Sequence, residues 1–380
     1  MIYLDNAATS FPKPPEVLEE MFETYSRMGV SPGRGSHDLA VRCEHYLQKV
    51  REEICDFFGG KSPDRVVFTS NSTDGLNTLI LGLAEPGRHV VSTRLEHNSV
   101  LRPLYHLRDR GVIEFDLVGF NPEGFIDPRD IAERIRPSTG FVVLNHVSNV
   151  LGTIQPVAAV GRICRERGVP LVLDVSQSAG VVPIDMEAMK VDAVAFTGHK
   201  SLLGPTGIGG LVLREGLEVR PVRFGGSGGD SSNTRQPMDY PFRLEPGTAN
   251  VLGIIGLSAA MRYVKREGID TLHDREMALA RALRDGLASL KGVKMYCAEN
   301  LENHTGVITC NVDGLAPGDF AAILDGDFDI ATRSGLHCAP LVHEDIGTSP
   351  RGAVRFSFGP FNKADDVSAV LFAVGEIARR

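Results

Sequence analysis

Apolar Leu47, Val50, Ile54 and Phe57 recur at helical spacing and stop at Gly59-Gly60, which predicts an amphipathic helix closed by glycine. A short strand is predicted over 65–69. The polar turn Ser70-Asn-Ser-Thr-Asp-Gly75 then opens a second helix with Leu76, Leu79, Ile80 and Leu83 on one face. The alternation repeats along the chain: strand 89–93, helix near 99–110, strand 140–145, helix 157–168, and strands 170–175 and 193–197. Strands separated by helices imply a mostly parallel, doubly wound sheet of the α/β class.

Beyond residue 245 the pattern changes. Leu279, Leu283, Leu287 and Leu290 form a helical stripe ending at Gly292, and residues 307–312 alternate as in a half-exposed strand. This predicts a large domain over 14–245 and a smaller α+β domain over 246–380, joined by the N-terminal segment 1–13. The Gly/Ser-rich stretch 225–236 before the boundary reads as a mobile loop. Within it Gly225-Gly-Ser-Gly-Gly229 matches the nucleophile elbow of hydrolases, but that motif needs a helix at once after the serine and residues 230–237 are polar and loop-like.

A chain of 380 residues exceeds what one hydrophobic core organises, in keeping with two domains. With 42% hydrophobic and 23% charged residues it has a globular composition. The 40 basic and 48 acidic residues leave a net charge of −8 with no basic run, which disfavours nucleic acid as a partner. The apolar stretch 251–261 is too short and glycine-broken to span a bilayer, which takes about 20 residues. The N-terminus lacks a basic, apolar leader pattern, and six cysteines without a Cys-x-x-Cys pair suit neither a disulfide framework nor a zinc site. A soluble protein of the reducing cytoplasm, without a metal, is expected.

Ligands of open parallel sheets gather outside the C-terminal ends of the strands, and polar residues concentrate there in this chain. Ser72 and Thr73 open a helix, suited to an ordinary cap or to a phosphate on the free N–H groups. Asp174 ends one apolar strand and Lys200 follows the next. A pyridoxal phosphate enzyme needs such a lysine for the Schiff base and commonly an acid for the ring nitrogen; the alternative is an exposed ion pair. His97, in the turn after strand 89–93, could lie over a flat ring or act as a cap. Cys338 is the candidate nucleophile, because Arg333, His337 and His343 flank it and nearby cations favour a thiolate. Cys164 and Cys310 fall among apolar neighbours and read as core residues, while Cys43, Cys55 and Cys297 have no special setting.

The opening Tyr3-Leu-Asp-Asn-Ala-Ala-Thr9, the segment His146-Val-Ser-Asn-Val-Leu-Gly-Thr153 and the lysine segment Thr197-Gly-His-Lys-Ser-Leu-Leu-Gly-Pro-Thr-Gly-Ile-Gly209 together resemble the class V aminotransferase superfamily. Within it the chain is similar to the cysteine desulfurases and selenocysteine lyases. The resemblance implies the fold type I of pyridoxal 5'-phosphate enzymes. Ser72, Thr73, Thr197 and His199 would hold the cofactor phosphate and Lys200 its aldehyde. His97 would stack on the ring, Asp174 would pair with its nitrogen, and Gln177 and Asn149 would face its oxygen. Arg355, with Asn149 and Arg333, would bind the substrate, and Thr248 would reach the phosphate of a second subunit, implying a homodimer. Arg333-Ser-Gly-Leu-His-Cys338 is similar to the Arg-x-Gly-x-His-Cys signature of the SUF-type branch, with the sulfur-accepting cysteine on a short loop. Leu336, Asp74 and Ala249 depart from the residues frequent at those places. The implied reaction converts L-cysteine to L-alanine with a persulfide on Cys338, passed to an acceptor protein for iron–sulfur cluster assembly. Selenocysteine lyase, cysteine-sulfinate lyase or another class V enzyme are the alternatives.

Overall fold

The computed structural model describes residues 1–32, 37–227, 234–296 and 299–379. Part of the 225–236 stretch, with the end of its elbow-like motif, and Cys297 lie outside the described residues.

Among the described residues, seven strands form the large sheet in the order Val66–Thr69, Gly209–Leu213, Ala193–Thr197, Leu171–Asp174, Thr139–Asn145, Arg88–Thr93 and Ile113–Val118. Only Gly209–Leu213 runs against its neighbours; the other adjacent pairs are parallel. Helices cover both faces, so most of these strands are continuously apolar, as buried parallel strands must be. The mostly parallel α/β architecture read from the alternation is present. Two strands were absent from that reading, Ile113–Val118 at the edge and Gly209–Leu213 inside the sheet.

A second, antiparallel sheet runs Arg333–Gly335, Ala353–Ser357, Val307–Val312, Val293–Met295. The half-exposed character expected for 307–312 is wrong: all but one of its residues are buried. Helices Ile269–Ala288 and Pro317–Phe328 contact the strand. Thr309 Oγ1 also donates to Val150 O, so a loop of the large sheet lies against it as well.

Helix Val251–Glu267 packs against helices Pro15–Met28 and Asp38–Phe57, and its Ile254, Ile255 and Leu257 join the core of the large sheet. A separate core beneath the small sheet gathers Met277, Leu283, Ile308, Phe320 and Phe356 with Leu4 from the far end of the chain. The N-terminal segment is strapped to this region. Ile2–Tyr3 pairs with Ile330–Ala331, and Asp5 bridges to Ser357. No described helix is long and apolar enough to cross a membrane.

Candidate active site

The C-terminal ends of the parallel strands deliver polar residues to one cleft of about 300 Å³ between the two sheets. Past Val66–Thr69, Asn71 caps helix Ser72–Leu83 by accepting from Asp74 N, which leaves Ser72 and Thr73 as its first residues rather than its cap. Past Arg88–Thr93 comes His97, past Thr139–Asn145 comes Asn149, past Leu171–Asp174 comes Gln177, and past Ala193–Thr197 come His199 and Lys200. All of these, with Asp174, Thr197, Arg333 and Arg355, line the cleft.

The Asp174 carboxylate is 6% exposed and accepts from Ser72 Oγ (3.3 Å), Ser176 N (2.9 Å) and Ser176 Oγ, so it is held in place rather than spent on a surface ion pair. Burial brings the Lys200 amine down to about 8, with Asp174 partly opposing, so its neutral form is within reach near neutral pH. His97 is both a cap and a cleft residue: its Nδ1 accepts from Ser99 N at 3.1 Å. Burial and the nearby Lys200 charge push its pKa well down, so the ring is neutral and carries its proton on Nε2. Gln177 donates to Ala7 O, which ties the N-terminal segment to the cleft wall.

Arg355 is 1% exposed and comes from the middle of strand Ala353–Ser357. Its Nη1 donates to Asn149 O (2.9 Å) and its Nη2 to Asp5 Oδ1 (2.8 Å). Five buried polar atoms of the cleft residues have no protein partner: Asn145 Oδ1, Asn149 Oδ1, Thr197 Oγ1, His199 Nδ1 and Arg355 Nε. Buried polar atoms are seldom left so, and the set of donors and acceptors fits a polar, anionic ligand.

Two sequence-predicted residues stand outside the cleft lining. Thr248 lines a neighbouring cleft with Thr69, Ser70 and Asp74. Cys338 lies at the rim, 3.7 Å from Arg333 Nη2, and its carbonyl accepts from Asn98 N beside His97. The three cations expected around it reduce to one. His337 and His343 are buried, and burial lowers the pKa of both, so they are neutral and contact each other instead. Cys164 and Cys310 are core residues as expected, with thiols pushed up to about 12 by burial. Cys43 and Cys55 are buried too.

The reading of the sequence gave no role to Asp5, Ser176 or Lys13. Lys13 Nζ donates to His199 O and Ser10 Oγ, both at 2.6 Å, bracing the turn that carries Lys200. Asp5 sits in the quoted opening motif, but its partner is remote in sequence.

The family model for class V aminotransferases matches residues 2–370. The chain belongs to the class V aminotransferase family. Among members of this family, a probable cysteine desulfurase of Pyrococcus abyssi is 35% identical, the alignment covering 100% of this chain and 94% of that protein. A cysteine desulfurase of Haloferax volcanii is 30% identical over 98% of this chain and 88% of its own length. Among solved structures, a cysteine desulfurase from Thermococcus onnurineus NA1 superposes with a TM-score of 0.93 at 36% identity, covering 100% of this chain and 94% of that one.

Proposed function

We propose that this class V enzyme is a cysteine desulfurase: it releases L-alanine from L-cysteine and takes the sulfur onto Cys338. The observation that carries the reading is the position of Cys338, held by its own carbonyl beside the His97 turn and by Arg333 at the rim of the Lys200 cleft. Full-length similarity to cysteine desulfurases supports it.

The family implies pyridoxal 5'-phosphate, and the unpartnered buried atoms of the cleft fit it. Ser72, Thr73, Thr197 and His199 would hold the phosphate at the start of helix Ser72–Leu83, where free N–H groups favour an anion. Lys200 would hold the aldehyde carbon, Asp174 the ring nitrogen, and His97, Asn149 and Gln177 the ring's face and edge. When bound, the group supplies an electron sink that eases loss of the substrate's α-proton.

Arg355 binds the substrate carboxylate through its unpartnered edge, assisted by Asn149 and Arg333. The Lys200 amine moves the proton at Cα, a task suited to a pKa near 8. The Cys338 sulfur, as thiolate, attacks the substrate sulfur. An S–S bond forms, the Cβ–S bond breaks with its electron pair left on the carbon skeleton, and that carbon takes up a proton, for which neutral His97 is placed as a shuttle. The products are alanine and a Cys338 persulfide, which a thiol or an acceptor protein reduces. Thr248, which lines the neighbouring cleft rather than its own, serves the site of a second copy in a homodimer.

The test is alanine release from L-cysteine with a reducing thiol present, by the cofactor-loaded protein and by Cys338→Ala. We expect turnover in the first and its loss in the second with cofactor retained. Unchanged release by Cys338→Ala overturns the covalent role and points to a lyase acting on selenocysteine or cysteine sulfinate.

A further inference from the structure

Just past strand Arg333–Gly335, His337 and Cys338 hold φ of 48° and 57°. The left-handed region is strained for a residue bearing a Cβ, so two in succession persist only where the surroundings hold them. Their carbonyls are clamped from the large sheet: Asn149 Nδ2 donates to His337 O and Asn98 N to Cys338 O, both at 2.7 Å.

The side chains supply the other half of the clamp. His337 Nε2 lies 3.1 Å from Arg333 O, a carbonyl that can only accept, so this nitrogen carries the ring's proton. His337 is neutral, which makes its Nδ1 an acceptor for His343 Nε2 at 3.3 Å. His343 Nδ1 is then also an acceptor, and Thr348 Oγ1 donates to it at 2.7 Å. Each group uses one proton, and the direction Thr348 to His343 to His337 to Arg333 O is fixed throughout. The rings stack with centroids 5.4 Å apart. His343 is fully buried. Its carbonyl accepts from Thr348 N and Ser349 N, which anchors the loop leading into the strand of Arg355.

We infer that His343 is a positioning residue for Cys338: through His337 it holds the left-handed turn that presents the sulfur beside Arg333 at the mouth of the Lys200 cleft. The inference rests on Cys338 being the sulfur acceptor. It assigns His343 no contact with substrate or cofactor. Without the relay, His337 Nδ1 is left buried and unpaired while the Thr348 hydroxyl keeps only the His343 carbonyl at 3.4 Å, and the turn has only its carbonyl clamps against its own strain.

The experiment compares wild type with His343→Leu, which removes both bonds, and His343→Gln, whose carboxamide nitrogen and oxygen can replace the two ring nitrogens. Alkylation of Cys338 by iodoacetamide is followed by peptide mass spectrometry, alongside kcat and KM for alanine release from L-cysteine. In His343→Leu the freed turn should expose the thiol, so Cys338 alkylation rises about threefold or more, while misplacement lowers kcat about tenfold or more with little change in KM. The buried Cys43, Cys55, Cys164 and Cys310 should stay unlabelled, and His343→Gln should recover most of both effects. Cys338 labelling and kcat within about twofold of wild type in folded His343→Leu overturn the inference. So does a folded His343→Gln that behaves like His343→Leu. If the core cysteines of His343→Leu become labelled, the protein has opened globally and Thr348→Val, which deletes only the outer donor, decides: faster Cys338 alkylation supports the relay and an unchanged rate overturns it. Failure of the desulfurase reading is separate, since it shows as alanine release surviving in Cys338→Ala whatever the alkylation rates.

Discussion

Asp5 and Arg355 stand 350 positions apart and meet at 2.8 Å, a carboxylate from the first strapped segment against a guanidinium from the strand of the small sheet. The arginine side chain is 1% exposed and the aspartate 21%, so the pair is buried on one side and reaches water on the other. Burial lowers the pKa of Arg355 and Asp5 opposes that shift, holding the guanidinium charged where a substrate carboxylate would need it.

Asp5→Ala should therefore destabilise the protein by about 3 kcal/mol, because it strands a buried charge. It should also raise KM for L-cysteine more than it lowers kcat. Asp5→Asn keeps an acceptor for Nη2 and should fall between. Urea denaturation and steady-state kinetics on the three proteins check both parts.

Glu276, on helix Ile269–Ala288, is buried against Gly306, and burial raises its carboxyl to about 8. The folded-state pKa lies above the unfolded one, so the group's contribution is fully present below the ordinary carboxylate range and is lost as pH rises to about 8. Glu276→Gln carries no such charge. Its stability relative to wild type should rise between about pH 5 and pH 8, by on the order of 2–4 kcal/mol, and level off above. Urea midpoints of the two proteins across that range measure it.

Gly180 sits at φ +102°, where a Cβ would lie 2.3 Å from Ser201 O, the residue after Lys200. Gly180→Ala must move the lysine turn or strain its own backbone, at a cost of about 2–3 kcal/mol. We expect a lower melting temperature and weaker retention of pyridoxal 5'-phosphate on dialysis. A variant that melts lower but keeps cofactor as wild type would show that the turn absorbs the shift elsewhere.

Most of the cleft was legible because strand ends and motif residues coincide: Asp174 closes an apolar strand, and Thr197 leads directly to Lys200. Strand Gly209–Leu213 was illegible for a physical reason. Its paired glycines carry no side chain to show strand alternation, yet a Cβ at Gly209 would meet Phe196 O at 2.5 Å and one at Gly210 the Phe196 ring at 2.7 Å, so they serve close packing within the sheet. The edge strand Ile113–Val118 carries Glu114 and Asp116, and Asp116 reaches His89 on the next strand and Arg136 in a loop. Contacts such as Asp5 with Arg355 leave no periodic trace. The histidines beside Cys338 misled because sequence gives adjacency but not burial, and burial turns them from cations into a neutral hydrogen-bonded pair.

The strap formed by residues 2–5 also sets an order of events during synthesis. Residues 2–5 leave the ribosome long before their partners and have no place to rest until Ile330–Ala331 and Ala353–Ser357 have followed them. Lys200 and the ends of the parallel strands can assemble earlier, but Arg355 and the Cys338 loop come last. A nascent chain can thus shape the Lys200 end of the cleft well before Arg355 and Cys338 arrive to complete it.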